Sequence, residues 1–357
     1  MKFEFKITRT SNPKVKPDLN TLDFGTVFTD HMFVMDYNTV EGWHSGRIIP
    51  YAPIELDPAA AVFHYAQEMF EGMKGYKAKD GRVLLFRPDM NEKRAKLTCE
   101  RICITPLPDG LMVDAVKALV AVDKDWIPDK EGTSLYIRPF IIATEPFLGV
   151  RDAHNYMFVI ILSPVGPYYK GGLTPTKIYV EDEYVRSVPG GTGSVKIGGN
   201  YAAGLKSEKK AHEKGYTQVL WLDGIERKYV EEIGTSNAFF MIDGEIITAP
   251  LTGSILPGIT RDSVINLLRS RNMKVSERRL TIQEIFDAHA AGKLEEVFAT
   301  GTAAVISPVG ELCWQDRIII INSGNIGNVS QELYDELTSI QYGKKNDEFG
   351  WITEIRE

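Results

Sequence analysis

The sequence predicts an α/β fold with α+β character, built as two domains around mixed sheets. Three observations predict it. Apolar strand-like runs alternate with helical stretches along the chain, the pattern of layered α/β and α+β architectures. Three Asp-Gly pairs, Asp80-Gly81, Asp223-Gly224 and Asp243-Gly244, stand between strand-like runs. Each reads as a tight hairpin turn, and hairpins imply antiparallel pairing, which disfavours a purely parallel sheet. At 357 residues the chain is also too long for one small core.

Taken in order, helices are expected at 58–70, 89–103, 111–123, 200–214, 260–271, 281–291 and 329–341. Asp89 and Glu92 form a capping box that would start the second helix and set Arg94 in its early turns. The runs 135–144 and 157–163 are strongly β-like and expected as central strands. After them, 164–175 is dense in Pro and Gly and reads as an interdomain connection. The expected organisation is a smaller N-terminal α/β domain at 1–164, a loop at 165–175, and a larger domain at 176–357 that carries Lys196.

Hydrophobic residues make up 43% and charged residues 25%, ordinary for a soluble globular protein. No apolar run approaches the ~18 residues of a membrane span, and the N-terminus lacks a leader pattern, so a cytoplasmic location is expected. The net charge of −7 comes from interspersed residues, which argues against a nucleic-acid surface. Three cysteines and six scattered histidines do not make a disulfide framework or a metal site, so no metal is expected.

The most informative stretch is Gly190-Gly-Thr-Gly-Ser-Val-Lys196-Ile-Gly-Gly-Asn-Tyr201. Its glycines let backbone approach a ligand closely. Lys196 has no acidic neighbour within six positions. A lysine with little solvent and no carboxylate beside it loses its proton more easily, and the free amine forms a Schiff base with an aldehyde. A phosphate-binding P-loop is excluded, because Ile197 stands where that motif needs Ser or Thr. Taken alone, the stretch would more often be a glycine-rich surface loop.

A pyridoxal phosphate site needs further parts, and each has a candidate. Glu232 would keep the pyridine nitrogen protonated, although a Glu-Glu pair is usually a solvated turn. The backbone N–H groups of Ile259 and Thr260 would open a helix over 261–270, where phosphate is attracted by the donors and the dipole. Arg94 would add counter-charge, and Thr302 and Ala303 further donors. Tyr201 would reach the phenolic oxygen.

Together these blocks resemble a family. Phe70-Glu-Gly-Met-Lys-Gly75, Tyr136-Ile-Arg-Pro139, Lys196-Ile-Gly-Gly-Asn-Tyr201, Glu232-Ile-Gly-Thr-Ser-Asn237, Ile255-Leu-Pro-Gly-Ile-Thr-Arg261 and Gly301-Thr-Ala303 look like the branched-chain amino acid aminotransferases of pyridoxal phosphate fold type IV. The resemblance runs from about Phe24 to Tyr342 and implies a homodimer of two-domain chains with the cofactor at the domain interface. It implies Lys196 as the Schiff-base lysine and Glu232 as the ring-nitrogen partner. Tyr201, Arg94, Arg186, Thr235, Ile259, Thr260 and Thr302 correspond to further cofactor contacts. Phe28, Tyr65, Phe70, Tyr136, Arg138, Thr302 and Ala303 correspond to the substrate pocket. Some relatives carry Cys-x-x-Cys after Gly-Thr-Ala; here the stretch is Ala304-Val-Ile-Ser307, so a thiol switch there is not expected. The implied reaction is reversible transfer of the amino group of leucine, isoleucine or valine to 2-oxoglutarate. Related fold type IV enzymes acting on D-amino acids or aminodeoxychorismate, and a non-catalytic binding protein, are the alternatives.

Overall fold

A computed structural model describes residues 3–168 and 172–355. Along the chain the elements are β1 (Lys6–Ile7), β2 (His31–Asn38), β3 (Gly42–Pro50), α1 (Ala61–Tyr65), β4 (Glu68–Phe70), β5 (Met73–Lys77), β6 (Val83–Phe86), α2 (Pro88–Arg101) and α3 (Leu111–Val122). There follow β7 (Ser134–Ala143), β8 (Asn155–Val165), β9 (Thr176–Glu181), α4 (Gly199–Ala202), α5 (Leu205–Glu213), β10 (Gln218–Leu222), β11 (Val230–Ile233), β12 (Ser236–Ile242) and β13 (Glu245–Thr248). The chain ends with α6 (Ile259–Ser270), β14 (Lys274–Glu277), α7 (Ile282–Ala290), β15 (Leu294–Gly301), β16 (Val305–Trp314), β17 (Arg317–Ile320), α8 (Asn328–Gln341) and β18 (Ile352–Ile355).

Backbone contacts group these into two compact units. The first comprises Met1–Lys170, Lys196–Gly198 and Ser339–Glu357; the second comprises Gly171–Val195 and Gly199–Thr338. Tyr169, Lys170 and Gly171, inside the expected connection at 165–175, lie outside the described residues.

The first unit holds a mixed sheet ordered β1-β3-β2-β8-β7-β5-β6-β18, with β4 pairing β7. As expected, β7 and β8 are central. Along β7 the odd positions Leu135, Ile137, Ile141 and Ala143 enter the core that α2 and α3 cover. The even positions, Tyr136 and Arg138 among them, face the other way, because side chains alternate along a strand. The second unit holds a sheet ordered β11-β10-β9-β16-β15-β12-β13-β14, mixing parallel and antiparallel pairs.

Several local expectations need correction. The helix expected at 58–70 is only α1, and the chain re-enters the sheet as β4. The helix expected at 200–214 is broken into α4 and α5 around Gly204. The Asp89–Glu92 capping box does not form: Arg87 is the N-cap and makes no side-chain bond, Pro88 opens the helix, and Asp89 pairs with Lys93 at 3.1 Å. Glu92 instead accepts from the N–H groups of Gly110 and Val113, capping the start of α3.

Asp243-Gly244 is the tight turn the sequence predicts, with φ of 52° and 74°. Asp80-Gly81 also joins an antiparallel pair. Asp223-Gly224, in contrast, opens a longer loop between β10 and β11. Its carboxylate accepts from the N–H groups of Ile225 and Glu226 on one oxygen and of Lys228 and Tyr229 on the other.

That loop depends on a charged acceptor. Burial would raise the Asp223 pKa, but the four N–H donors outweigh it and hold the carboxyl below its ordinary value. A carboxyl lowered in the folded state contributes stability above its unfolded pKa and loses it as pH falls through the folded value. Asp223→Ala should therefore destabilise the protein by about 3 kcal/mol at neutral pH. It should also flatten the loss of stability on acidification, as read by urea unfolding between pH 7 and pH 3.

Candidate active site

Lys196 sits on the first unit through its backbone. Its carbonyl accepts from the Phe70 N–H at 3.1 Å, and its N–H donates to Thr98 Oγ1 at 3.2 Å. Two residues on, the Gly198 N–H donates to Glu68, where a Cβ at position 198 would collide with the Glu68 carboxylate. The lysine is half-buried, with Nζ over the Phe70 ring at 4.7 Å. Arg138 stands over the same ring, also at 4.7 Å, and donates to the Tyr136 hydroxyl at 2.8 Å. Phe70, expected in the substrate pocket, thus lies under both the Lys196 and the Arg138 side chains. Lys74 lies opposite Tyr136 across the β5–β7 ladder, and burial pulls its ammonium down to about 8. Gly72 is required beside them, because a Cβ there would strike the Tyr136 hydroxyl.

Arg94 joins this group through α2. The Thr98 hydroxyl that accepts from Lys196 donates to the Arg94 carbonyl at 3.0 Å. The Arg94 guanidinium forms a buried fork with Glu71, Nε to Oε1 and Nη2 to Oε2, both at 2.8 Å. The local sequence suggested no carboxylate near Lys196. In space Glu71 interacts electrostatically with Lys196, because β4 brings position 71 beside the lysine.

In the second unit Glu232 is buried near the end of β11. Arg186 Nε lies 2.9 Å from Oε2, and Asn237 Nδ2 donates to Oε1 at 2.9 Å. Arg186 is itself fixed by bonds to the carbonyls of Gly193 and Ser254. Asn237 also donates to the Leu256 carbonyl at 2.9 Å, tying Glu232 to the loop that enters α6. Ile259 and Thr260 are the first two residues of α6, both buried. The N-cap is Gly258, so no side chain caps the helix, and a Cβ there would collide with Asn237. Val264, Leu267 and Leu268 bury the face that anchors α6, as their spacing predicts.

Thr235 is exposed at the tip of the β11–β12 turn. Thr302 and Ala303, half-buried, form the β15–β16 turn at the same end of this sheet, where Asn237 pairs with Thr300. Tyr201 is half-buried on α4. Phe28 stacks on Tyr51 with centroids 5.2 Å apart. Tyr65 is exposed on α1, its hydroxyl donating to the Leu148 carbonyl, among exposed Phe63, Phe147, Leu148 and Val150. Sequence reasoning missed Glu71, Thr98 and Asn237, whose partners lie 23, 98 and 19 residues away.

The family model for amino-transferase class IV matches residues 68–312, a span that includes Lys196, Glu232 and the start of α6. The chain belongs to the class IV aminotransferases. It is 58% identical to branched-chain-amino-acid aminotransferase 2 of Bacillus subtilis over 350 residues, covering 98% of this chain and 96% of the relative. Branched-chain-amino-acid transaminase 1 of the same organism is 55% identical, with 96% of each chain covered. A crystal structure of the branched-chain amino acid aminotransferase of Thermobaculum terrenum in its PLP-form superimposes with a TM-score of 0.74 at 23% identity. That superposition covers 92% of this aminotransferase and 99% of the other chain, and it establishes a shared fold.

Asn237 is the link with the most direct stability consequence. Asn237→Ala leaves Glu232 Oε1 and the Leu256 carbonyl without their shared donor. The expected cost is about 1–3 kcal/mol per buried acceptor. An unchanged urea midpoint would remove Asn237 from this framework.

Proposed function

We propose that this class IV aminotransferase acts on branched-chain amino acids, moving the amino group of L-leucine, L-isoleucine or L-valine reversibly to 2-oxoglutarate, with pyridoxal phosphate held on Lys196. The observation that carries the reading is its identity with the two Bacillus subtilis relatives, sustained across nearly the whole chain.

The residues present fit the cofactor. A lysine with a fixed backbone presents its amine beside aromatic and cationic neighbours. A buried glutamate is held by an arginine and an amide. A 12-residue helix begins without a side-chain cap, as a phosphate-accepting N-terminus would. Lys196 would carry the cofactor, Glu232 would hold the proton on its ring nitrogen, and Tyr201 would reach its phenolic oxygen. Ile259, Thr260, Thr235, Thr302, Arg94 and Arg186 would supply donors and positive charge.

Bound pyridoxal phosphate supplies an electron sink for the charge left when the substrate α-proton departs. Lys196 Nζ removes that proton as a base and returns it as an acid. Phe28, Tyr65, Phe70, Tyr136, Thr302 and Ala303 would shape a pocket for an aliphatic side chain. Arg138 would pair with the second carboxylate of glutamate by a forked contact. Differences among leucine, isoleucine and valine amount to about 1–3 kcal/mol in such a pocket.

The working assembly in this reading is a cytoplasmic homodimer. Phe63, Tyr65, Phe147, Leu148 and Val150 form exposed apolar surface that a second copy would cover. The free thiols of Cys99, Cys103 and Cys313 suit a reducing compartment.

The amino-donor profile with 2-oxoglutarate tests the reading, and ping-pong kinetics with preference for the three branched L-amino acids are expected. Lys196→Ala should abolish turnover and leave the fold intact, while wild-type activity in it would rule the assignment out. Glu232→Gln should slow exchange of the substrate α-proton with solvent, measured by NMR. Sedimentation at micromolar concentration should give a dimer, and a monomer would withdraw Tyr65 from the pocket.

A further inference from the structure

Glu71 has no part in the roles assigned above, yet it is the most deeply committed acid of the first unit. Its side chain is wholly buried. Oε1 accepts from Arg94 Nε, and Oε2 accepts from Arg94 Nη2 and from Asn91 Nδ2, each at 2.8 Å. Its own N–H donates to the Pro139 carbonyl at 2.7 Å. Burial would raise its pKa, but the Arg94 charge, the Lys196 charge and the bonds from Arg94 and Asn91 hold it below the ordinary range. The carboxylate is therefore charged.

We propose that Glu71 is a positioning residue for phosphate binding: it fixes the plane of Arg94. The inference rests on the functional reading above. A guanidinium is planar, so clamping two of its three nitrogens on one carboxylate fixes the direction of the third. The neighbouring residue completes the arrangement, because the Phe70 N–H holds the Lys196 carbonyl while Glu71 holds Arg94. The two consecutive residues thus place the amine-bearing lysine and the arginine relative to one another. The opposing idea is that Glu71 merely neutralises Arg94. In that case its removal would strengthen anion binding.

Apo-protein titrated with pyridoxal phosphate and with pyridoxal, which lacks the phosphate, separates these ideas. Glu71→Gln should weaken pyridoxal phosphate binding by about tenfold or more, the scale on which partners behind a directly bound group act. It should leave pyridoxal binding nearly unchanged. Asn91→Ala removes the amide from Glu71 Oε2 and from the Gly72 carbonyl but leaves the Arg94 fork in place, so a smaller loss of the same selectivity is expected. Equal loss for both ligands, or pyridoxal phosphate bound as tightly as by wild type or tighter, would overturn the proposal. If Glu71→Gln does not fold, Asn91→Ala decides, and an unaltered ratio in it overturns the proposal too. Wild-type protein that binds neither ligand would instead sink the cofactor reading, and the inference with it.

Discussion

The backbone of Lys196 is held at both of its polar groups, and the placement of its side chain depends on that constraint. The N–H meets the Thr98 hydroxyl and the carbonyl meets the Phe70 N–H. The Thr98 hydroxyl has one proton and spends it on the Arg94 carbonyl, so its lone pairs are left to accept from Lys196. Thr98 is fully buried, and α2 also buries Ala95 and Cys99 in the core of this unit. Core packing thereby fixes where the lysine stands, and only its four-carbon stem is left to move.

The two units solve the problem of burying charge in the same way. Glu71 is bound by Arg94 and by the Asn91 amide; Glu232 is bound by Arg186 and by the Asn237 amide. A buried carboxylate costs several kcal/mol in desolvation, and a single counter-ion rarely offsets it unless the remaining lone pairs are also satisfied. In each trio the asparagine adds a neutral donor to one carboxylate oxygen. Each trio is therefore an ion pair with a neutral brace, and each brace has a second attachment, to the Gly72 carbonyl from Asn91 and to the Leu256 carbonyl from Asn237. The braces connect the acids to the loops around them.

Much of the fold was legible because it is written in local periods. Helices over 111–122, 259–270, 282–290 and 328–341 follow their apolar spacing, and the Asp243-Gly244 turn follows its dipeptide. Two local signals failed because other backbone donors claimed the carboxylate. Glu92 caps α3 rather than its own helix, because the Gly110 and Val113 N–H groups lie within reach. The Asp223 carboxylate organises a loop instead of a two-residue turn, because four N–H donors converge on it. For the site, the residue types and their order were readable from the blocks that carry them. The pairings were not: a lysine with no acid within six positions acquires Glu71 only through the path of the sheet.

The adjacent acids of β11 show how the backbone turns an ambiguous dipeptide into two distinct environments. Side chains of Glu231 and Glu232 point to opposite faces, because a strand alternates at every residue. On one face Glu232 meets Arg186 and Asn237, partners that favour the charged carboxylate. On the other, Glu231 accepts from the Ser254 hydroxyl, and burial outweighs that bond and the charges of Arg186 and Arg279, pushing its pKa up. A guanidinium in direct contact favours the charged carboxylate more than a neutral hydroxyl does. Which of the two adjacent acids meets the arginine directly is therefore decided by the alternation of one strand, a choice that a shift of a single residue in register would reverse.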